Sequence, residues 1–151
     1  MKKNLLHREA AEQIIKRINK LTPGQQPIWG SMTATEMLLH CNKVHLHLLS
    51  PSTGDYKKTT TKQLLIRWVV LYLLPTFPRN VQAPKLALTK GTIDDTEFEQ
   101  QKQGFIELVQ RFSTHQEPIT HRHPYFGNLN TKQWGLAGYK HVDHHLRQFG
   151  I

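Results

Sequence analysis

Apolar side chains recur at helical spacing along most of this chain, and no strong strand pattern competes with them. Residues three and four positions apart share one face of a helix, so each such segment predicts an amphipathic helix. Long amphipathic helices joined by loops indicate an all-α fold, a helical bundle. The length of 151 residues suits one domain spanning 1–151. The expected helices cover about 7–21, 33–49, 62–74, 94 to before 118, and 130–149.

Local signals mark where these helices begin and end. Thr33-Ala-Thr-Glu36 has the form of a capping box, Pro75 ends the third segment, and Gly150 follows the last. Residues 50–61 are polar and rich in turn formers. The bundle is therefore expected to carry an extra short helix or a long loop between the second helix and the later ones.

The third segment carries more apolar surface than a four-helix core is expected to bury. Two alternatives follow. Either these side chains are buried within one chain, where Trp68 would join Trp29, Met37 and Trp134 in the core, or they form a homodimer face. The residues concerned are Leu64, Leu65, Trp68, Val69 and Tyr72.

Charge and cysteine content narrow the class of protein. Twenty Lys and Arg against eleven Asp and Glu give a net charge of +9, which favours anionic partners. The basic residues are scattered and no recognition motif is present, which disfavours nucleic-acid binding. The single Cys41 excludes an internal disulfide and fits a cytoplasmic location. The N-terminus lacks a signal-peptide pattern and the longest apolar run, 64–77, is too short to span a bilayer, so no membrane partner is expected.

Three of the ten histidines fall close together on the last predicted helix. At about 100° per residue, His145 lies roughly 40° from His141, and both share the apolar face with Trp134. His144 lies about 100° from His145, at the polar edge of the helix. Two imidazoles at positions i and i+4 can bind one metal ion, with a third ligand supplied from elsewhere.

His40 on the second helix is the candidate third ligand, because it lies at the margin of that helix's apolar face. Three neutral imidazoles with water in the remaining positions form the open arrangement of a catalytic metal. The alternative is that the H-x-x-x-H spacing reflects ordinary core-edge or surface histidines. His47 and Glu36 share the side of His40. Glu36 is explained by its capping role, with an acceptor contact to His40 as the second interpretation.

Two further features adjoin this candidate site. Cys41 is expected to be a small buried hydrophobe rather than a ligand or nucleophile. The loop from His121 to Gly127 contains His123 and aromatic residues, and it either borders a pocket or packs as an ordinary loop. Gly135 and Gly138 on the last helix permit close approach of another backbone or of a ligand.

These residues carry a resemblance to the DinB-like superfamily of metal-dependent proteins, in a small bacterial branch. The resemblance implies a four-helix bundle whose metal is held by one histidine of the second helix and an H-x-x-x-H pair of the last. By position, those ligands are His40, His141 and His145. The matching segments are Pro27-Ile-Trp-Gly-Ser-Met32, Glu36-Met-Leu-Leu-His40-Cys41-Asn42, His123-Pro-Tyr-Phe-Gly127, Gln133-Trp134 and Tyr139-Lys-His141-Val-Asp-His144-His145-Leu-Arg-Gln-Phe-Gly150.

Members of that superfamily include transferases and isomerases that use a low-molecular-weight thiol. The leading hypothesis is therefore a divalent-metal-dependent enzyme, a thiol-dependent S-transferase or isomerase that acts on a small, anionic molecule. Three imidazoles suit zinc or nickel first, and also iron or copper. The alternatives are a metal-dependent hydrolase, a non-catalytic oligomeric bundle and a basic nucleic-acid-binding module.

Overall fold

The computed structural model describes residues 2–52, 57–79, 81 and 88–151. Within these ranges the regular secondary structure is helical apart from one small antiparallel hairpin, which confirms the predicted all-α fold. The hairpin strands are two residues long, too short for a sequence pattern to reveal. The elements are α1 (Arg8–Ile18), α2 (Ala34–Leu49), α3 (Thr61–Trp68), α4 (Phe98–Ser113), β1 (Arg122–His123), β2 (Gly127–Asn128) and α5 (Thr131–Gln148).

Capping boxes begin three of the helices. The predicted box at Thr33 and Glu36 starts α2, and the same reciprocal pair of hydrogen bonds forms between Thr60 and Gln63 before α3 and between Asn130 and Gln133 before α5. Asp94 caps a short 3₁₀ turn, Asp95–Glu97, that leads into α4. In the last two boxes, a glutamine side chain replaces glutamate as the acceptor for the amide of the N-cap residue.

Four helices surround the main core. α2 packs along α4, α1 contacts both α4 and α5, and α2 also contacts α5. The apolar residues that α4 carries at helical spacing face this core. Cys41 is fully buried beside Met37, and burial raises the pKa of its thiol, as expected for a small hydrophobe. The buried residues of α4 are Phe98, Phe105, Leu108, Val109 and Phe112.

Gly135 lets the N-terminal segment cross α5 closely. The Leu5 amide donates to the Gly135 carbonyl at 3.0 Å. A Cβ at Gly135 would lie 1.9 Å from Asn4 Oδ1, a contact that no side chain tolerates. The predicted close approach of another backbone at this glycine is confirmed.

The third segment departs from the predicted single helix over 62–74. α3 ends at Trp68 and continues as a π-helical turn, Val69–Leu73. Lys140 donates to the Val70 carbonyl at 2.6 Å and to that of Leu74, which joins the turn to α5. The Lys140 ammonium group thus satisfies carbonyl groups that the end of the turn leaves unpaired.

The expectation that Trp68 is a core residue is wrong. Its side chain is 53% exposed, and Leu65 is 63% exposed, because α3 lies outside the four packed helices and turns this face away from them. Trp134 and Met37 are buried as expected, and Trp29 is partly buried. Although this segment is the longest apolar run, none of the helices in the described ranges has the length and apolarity needed to span a membrane.

His45 on α2 is a fully buried imidazole that the sequence pattern did not single out. Its ring lies 6.0 Å from that of Phe105 and 5.6 Å from that of Phe112. Neither ring nitrogen has a hydrogen-bond partner among the described residues. Burial, followed by the charge of His40, lowers the pKa of His45 from 6.5 to about 4. The folded protein therefore holds this side chain neutral.

This shift predicts a loss of stability in mild acid. The unfolded chain takes up a proton on His45 near pH 6.5 and the folded chain only near pH 4, so the stability present above pH 6.5 falls between those values. In wild type, protonation of His45 in the unfolded chain should lower the free energy of unfolding by about 2 to 3 kcal/mol between pH 7 and 4.5. His45→Leu should not show this part of the loss. The measurement is urea unfolding with a chelator present. The exposed-site variant His7→Leu is the control, and an equal slope in wild type and His45→Leu contradicts the prediction.

Candidate metal centre

α2 and α5 bring together the three histidines that the sequence singled out. Nε2 of His141 lies 2.9 Å from Nε2 of His40 and 3.2 Å from Nε2 of His145. One ring nitrogen from each residue lies within 4.8 Å of the other two. His40 and His145 are buried and His141 is partly buried. The helical phase used for the sequence prediction thus placed all three side chains on facing sides of the two helices.

The distances from His141 Nε2 to the other two nitrogens suit one shared ion. Two nitrogens each about 2.0 to 2.1 Å from one ion lie roughly 2.9 to 3.4 Å apart at right or tetrahedral angles. Proton sharing fits less well, because His141 Nε2 faces two nitrogens and carries at most one proton. An ion accepts the lone pairs of all three. Three imidazoles therefore fit the group that the superfamily resemblance implies.

Burial keeps the imidazoles of His141 and His145 in the neutral form that binds metals. It lowers the pKa of His141 well below the usual value, and the charges of His145 and His40 act in the same direction. It also lowers the pKa of His145 to about 3, with a further contribution from His40. Because metal binding requires the unprotonated nitrogen, the protein supplies this state without competition from protons at neutral pH.

Gln148 orients His145. Its Oε1 accepts a hydrogen bond from His145 Nδ1 at 2.9 Å, which leaves the lone pair of His145 on Nε2, toward the other two histidines. Its amide nitrogen donates to the Trp29 carbonyl at 2.8 Å. Gly30, at φ +82°, makes room for it, since a Cβ there would lie 2.4 Å from Gln148 Nε2. No sequence pattern predicted this contact, although Gly30 and Gln148 both lie in the segments that carry the superfamily resemblance.

Disrupting this contact should weaken metal binding. Gln148→Ala removes the acceptor for His145 Nδ1, and we expect a loss of metal affinity of about 10- to 100-fold. Gly30→Ala should act in the same direction, because the new Cβ displaces the Gln148 amide. Competition with a chromophoric chelator measures the affinity, and Gly24→Ala, which meets no neighbour, is a control for strain at a positive φ. Wild-type affinity in Gln148→Ala would contradict the assignment.

The other candidate residues have different positions. His144 Nδ1 lies 3.3 Å from the Phe77 carbonyl, outside the cluster of three. Glu36 accepts from the Thr33 amide at 2.8 Å and from the Gly91 amide, which supports its capping role. His47 is exposed, and its ring centroid lies 4.2 Å from that of His121.

The two neighbouring histidines of α5 should respond differently to substitution. His145→Ala removes a nitrogen that faces His141, so it should release the ion. His144→Ala should leave most of the ion bound, because His144 instead faces Phe77 and Trp29. Metal content after dialysis, measured by elemental analysis, makes the comparison. Equal loss in both variants, or loss only in His144→Ala, would show that the assignment is wrong.

A cavity of about 790 Å³ adjoins the cluster, and all three histidines line it. The loop from His121 to Phe126 forms part of the wall, so of the two interpretations of this loop the structure favours the pocket border. Such a volume suits a small organic molecule. None of the described lining residues is Asp or Glu. Most of the wall is apolar and includes Trp29, Met32, Val44, Leu48, Ile66, Val70, Phe77, Phe126, Trp134 and Ala137.

A helical bundle with three histidines converging beside an apolar cavity has the architecture expected of the DinB-like superfamily. The chain belongs to the family described as "Protein of unknown function (DUF1569)", whose model matches residues 1–150. That family lies in the DinB/YfiT-like superfamily. Searches of curated proteins and of solved structures gave no significant match.

Proposed function

We propose that this protein is a divalent-metal-dependent enzyme in which His40, His141 and His145 hold the ion and the adjoining cavity holds the substrate. The observation that carries the proposal is the convergence of three buried imidazole nitrogens at the wall of that cavity. Three protein ligands leave positions open for a reactant, whereas structural zinc sites have four. We propose zinc or nickel as the ion.

The surrounding residues set the protonation state of the histidine ligands and the polarity around the ion. A bound ion lowers the pKa of a thiol or water that reaches an open position. Gln148 fixes the tautomer of His145, and burial keeps His141 neutral. The apolar walls exclude bulk water, which strengthens electrostatic interactions with the reacting atoms.

A low-molecular-weight thiol is the proposed nucleophile. A thiol has an ordinary pKa of about 8.5, so it ionises near neutral pH after a much smaller shift than water needs. No carboxylate from the described lining residues is available to act as a general base toward water. Lys90 and Arg122 in the lining would attract the carboxylates of such a thiol. The reaction class is S-transfer to an electrophile or thiol-assisted isomerisation.

The first test concerns the ion. Protein purified without an affinity tag should contain close to one transition-metal ion per chain by elemental analysis. His141→Ala should lose that ion and the stabilisation that added Zn²⁺ gives the wild type in thermal unfolding. His115→Ala, on the loop after α4, is the matched control. Protein without stoichiometric metal, together with an unchanged response of His141→Ala to Zn²⁺, overturns the proposal.

The second test separates thiol chemistry from hydrolysis. Co²⁺-substituted protein should change its visible spectrum when glutathione or cysteine is added, and His141→Ala should show no such change. A panel of aryl halides and epoxides with added thiol then reports S-transfer. Ester hydrolysis that is independent of thiol, with no spectral change, would instead assign the centre to a hydrolase.

A further inference from the structure

His123 is held in one tautomer by the hairpin in which it lies. Its Nδ1 accepts hydrogen bonds from the amides of Tyr125 at 3.1 Å and Phe126 at 3.2 Å. A nitrogen that accepts two amide protons carries no proton of its own, so the single proton of the neutral ring is on Nε2. Burial lowers the pKa of His123 to about 4, which agrees with a neutral ring.

The orientation of the ring is also fixed. It stacks on Phe126 with a centroid distance of 4.0 Å and an interplanar angle of 13°, and its centroid lies 5.3 Å from that of Trp134. His123 lines the cavity beside the three-histidine cluster. Its Nε2 has no hydrogen-bond acceptor among the described residues. The Nε2–H group of His123 is therefore a donor of fixed direction that can hydrogen-bond to a bound molecule.

The surroundings define the chemistry of that partner. The wall around His123 is apolar, with Ile66, Phe126 and Trp134 among its members, and none of the described lining residues is acidic. At His123 itself, a neutral N–H donor beside the Phe126 and Trp134 rings favours an uncharged acceptor, because a carboxylate there would lose its hydration and gain only one hydrogen bond from a neutral group.

We infer that the cavity binds a largely apolar molecule carrying a neutral carbonyl oxygen, and that His123 Nε2–H donates a hydrogen bond to that oxygen. This inference rests on the proposed function only in that the same cavity serves the metal centre. It names the electrophile as an apolar carbonyl compound and makes His123 a residue that selects it.

Two substitutions test separately the two roles of His123, which are donation from Nε2 and acceptance of the turn amides by Nδ1. In His123→Asn, the side-chain oxygen replaces Nδ1 as acceptor for the Tyr125 and Phe126 amides, as in an Asx turn, but no donor reaches the position of Nε2. In His123→Gln, the amide nitrogen reaches that position, while the turn acceptor is lost. The pair therefore divides the structural role from the binding role.

The probe is 2-propionylnaphthalene, a neutral ketone, compared by isothermal titration calorimetry with 2-propylnaphthalene, the hydrocarbon that differs from it only in lacking the carbonyl oxygen. The ratio of ketone affinity to hydrocarbon affinity should be about three- to tenfold higher in wild type than in His123→Asn, the range expected for one hydrogen bond between neutral groups. His123→Asn should retain its affinity for the hydrocarbon. His123→Gln should keep the wild-type ratio.

Measurements on the protein as purified and after chelation keep this test separate from the metal hypothesis, because the higher ratio in wild type should persist without metal. Absence of a metal ion with this higher ratio intact overturns the proposed function alone. The inference about His123 is overturned if His123→Asn keeps the wild-type ratio of ketone to hydrocarbon affinity, or if His123→Gln loses it. Equal loss of both probes in His123→Asn would assign His123 to building the hairpin and also overturns it.

Discussion

The approach of α2 to α5 at His40 and His141 is the contact on which the rest of the site depends. A separation of 2.9 Å between two ring nitrogens is reached only if both helices keep their rotation and spacing. Capping boxes fix where each helix starts, and inward residues such as Met37 and Val142 fix which face is buried. The segment after α1 also contacts the C-terminal half of α5, because the Ile28 amide donates a hydrogen bond to the Gln148 carbonyl at 2.7 Å.

A different face of α5 carries a buried, ion-paired carboxylate. Asp143 lies between His141 and His145 in sequence, but its carboxylate pairs with Arg17 at 2.6 Å and Arg147 at 2.8 Å. Alternate faces of α5 thus hold an ion-paired carboxylate and a group of neutral imidazoles. Because the carboxylate is occupied by two cations, the imidazoles receive little compensation for protonation, and burial determines their charge state.

The parts of the fold and site that local periodicity determines could be predicted from the sequence. Helical phase made His40, His141 and His145 the candidate set, since a helix places its side chains at a fixed angular step, and the superfamily resemblance supported the same three residues. Contacts made by loops that return from a distance could not be predicted in this way. The bond from Gln148 to the Trp29 carbonyl, the burial of His45 between two phenylalanines and the exposure of Trp68 all depend on how elements pack, which no single segment specifies.

The net charge of +9 favours anionic partners, but few of the positive charges lie in the cavity. Lys90 and Arg122 are the cations of the described lining, and Arg122 already donates to Gln63 at 3.1 Å. The remaining polar side chains of the wall are mainly imidazoles in apolar surroundings. Long-range attraction by surface cations raises the rate at which anions arrive, whereas the interior selects what stays bound by shape and uncharged hydrogen bonds. Surface charge therefore suits delivery of an anionic thiol, and the apolar cavity suits the uncharged compound with which it would react.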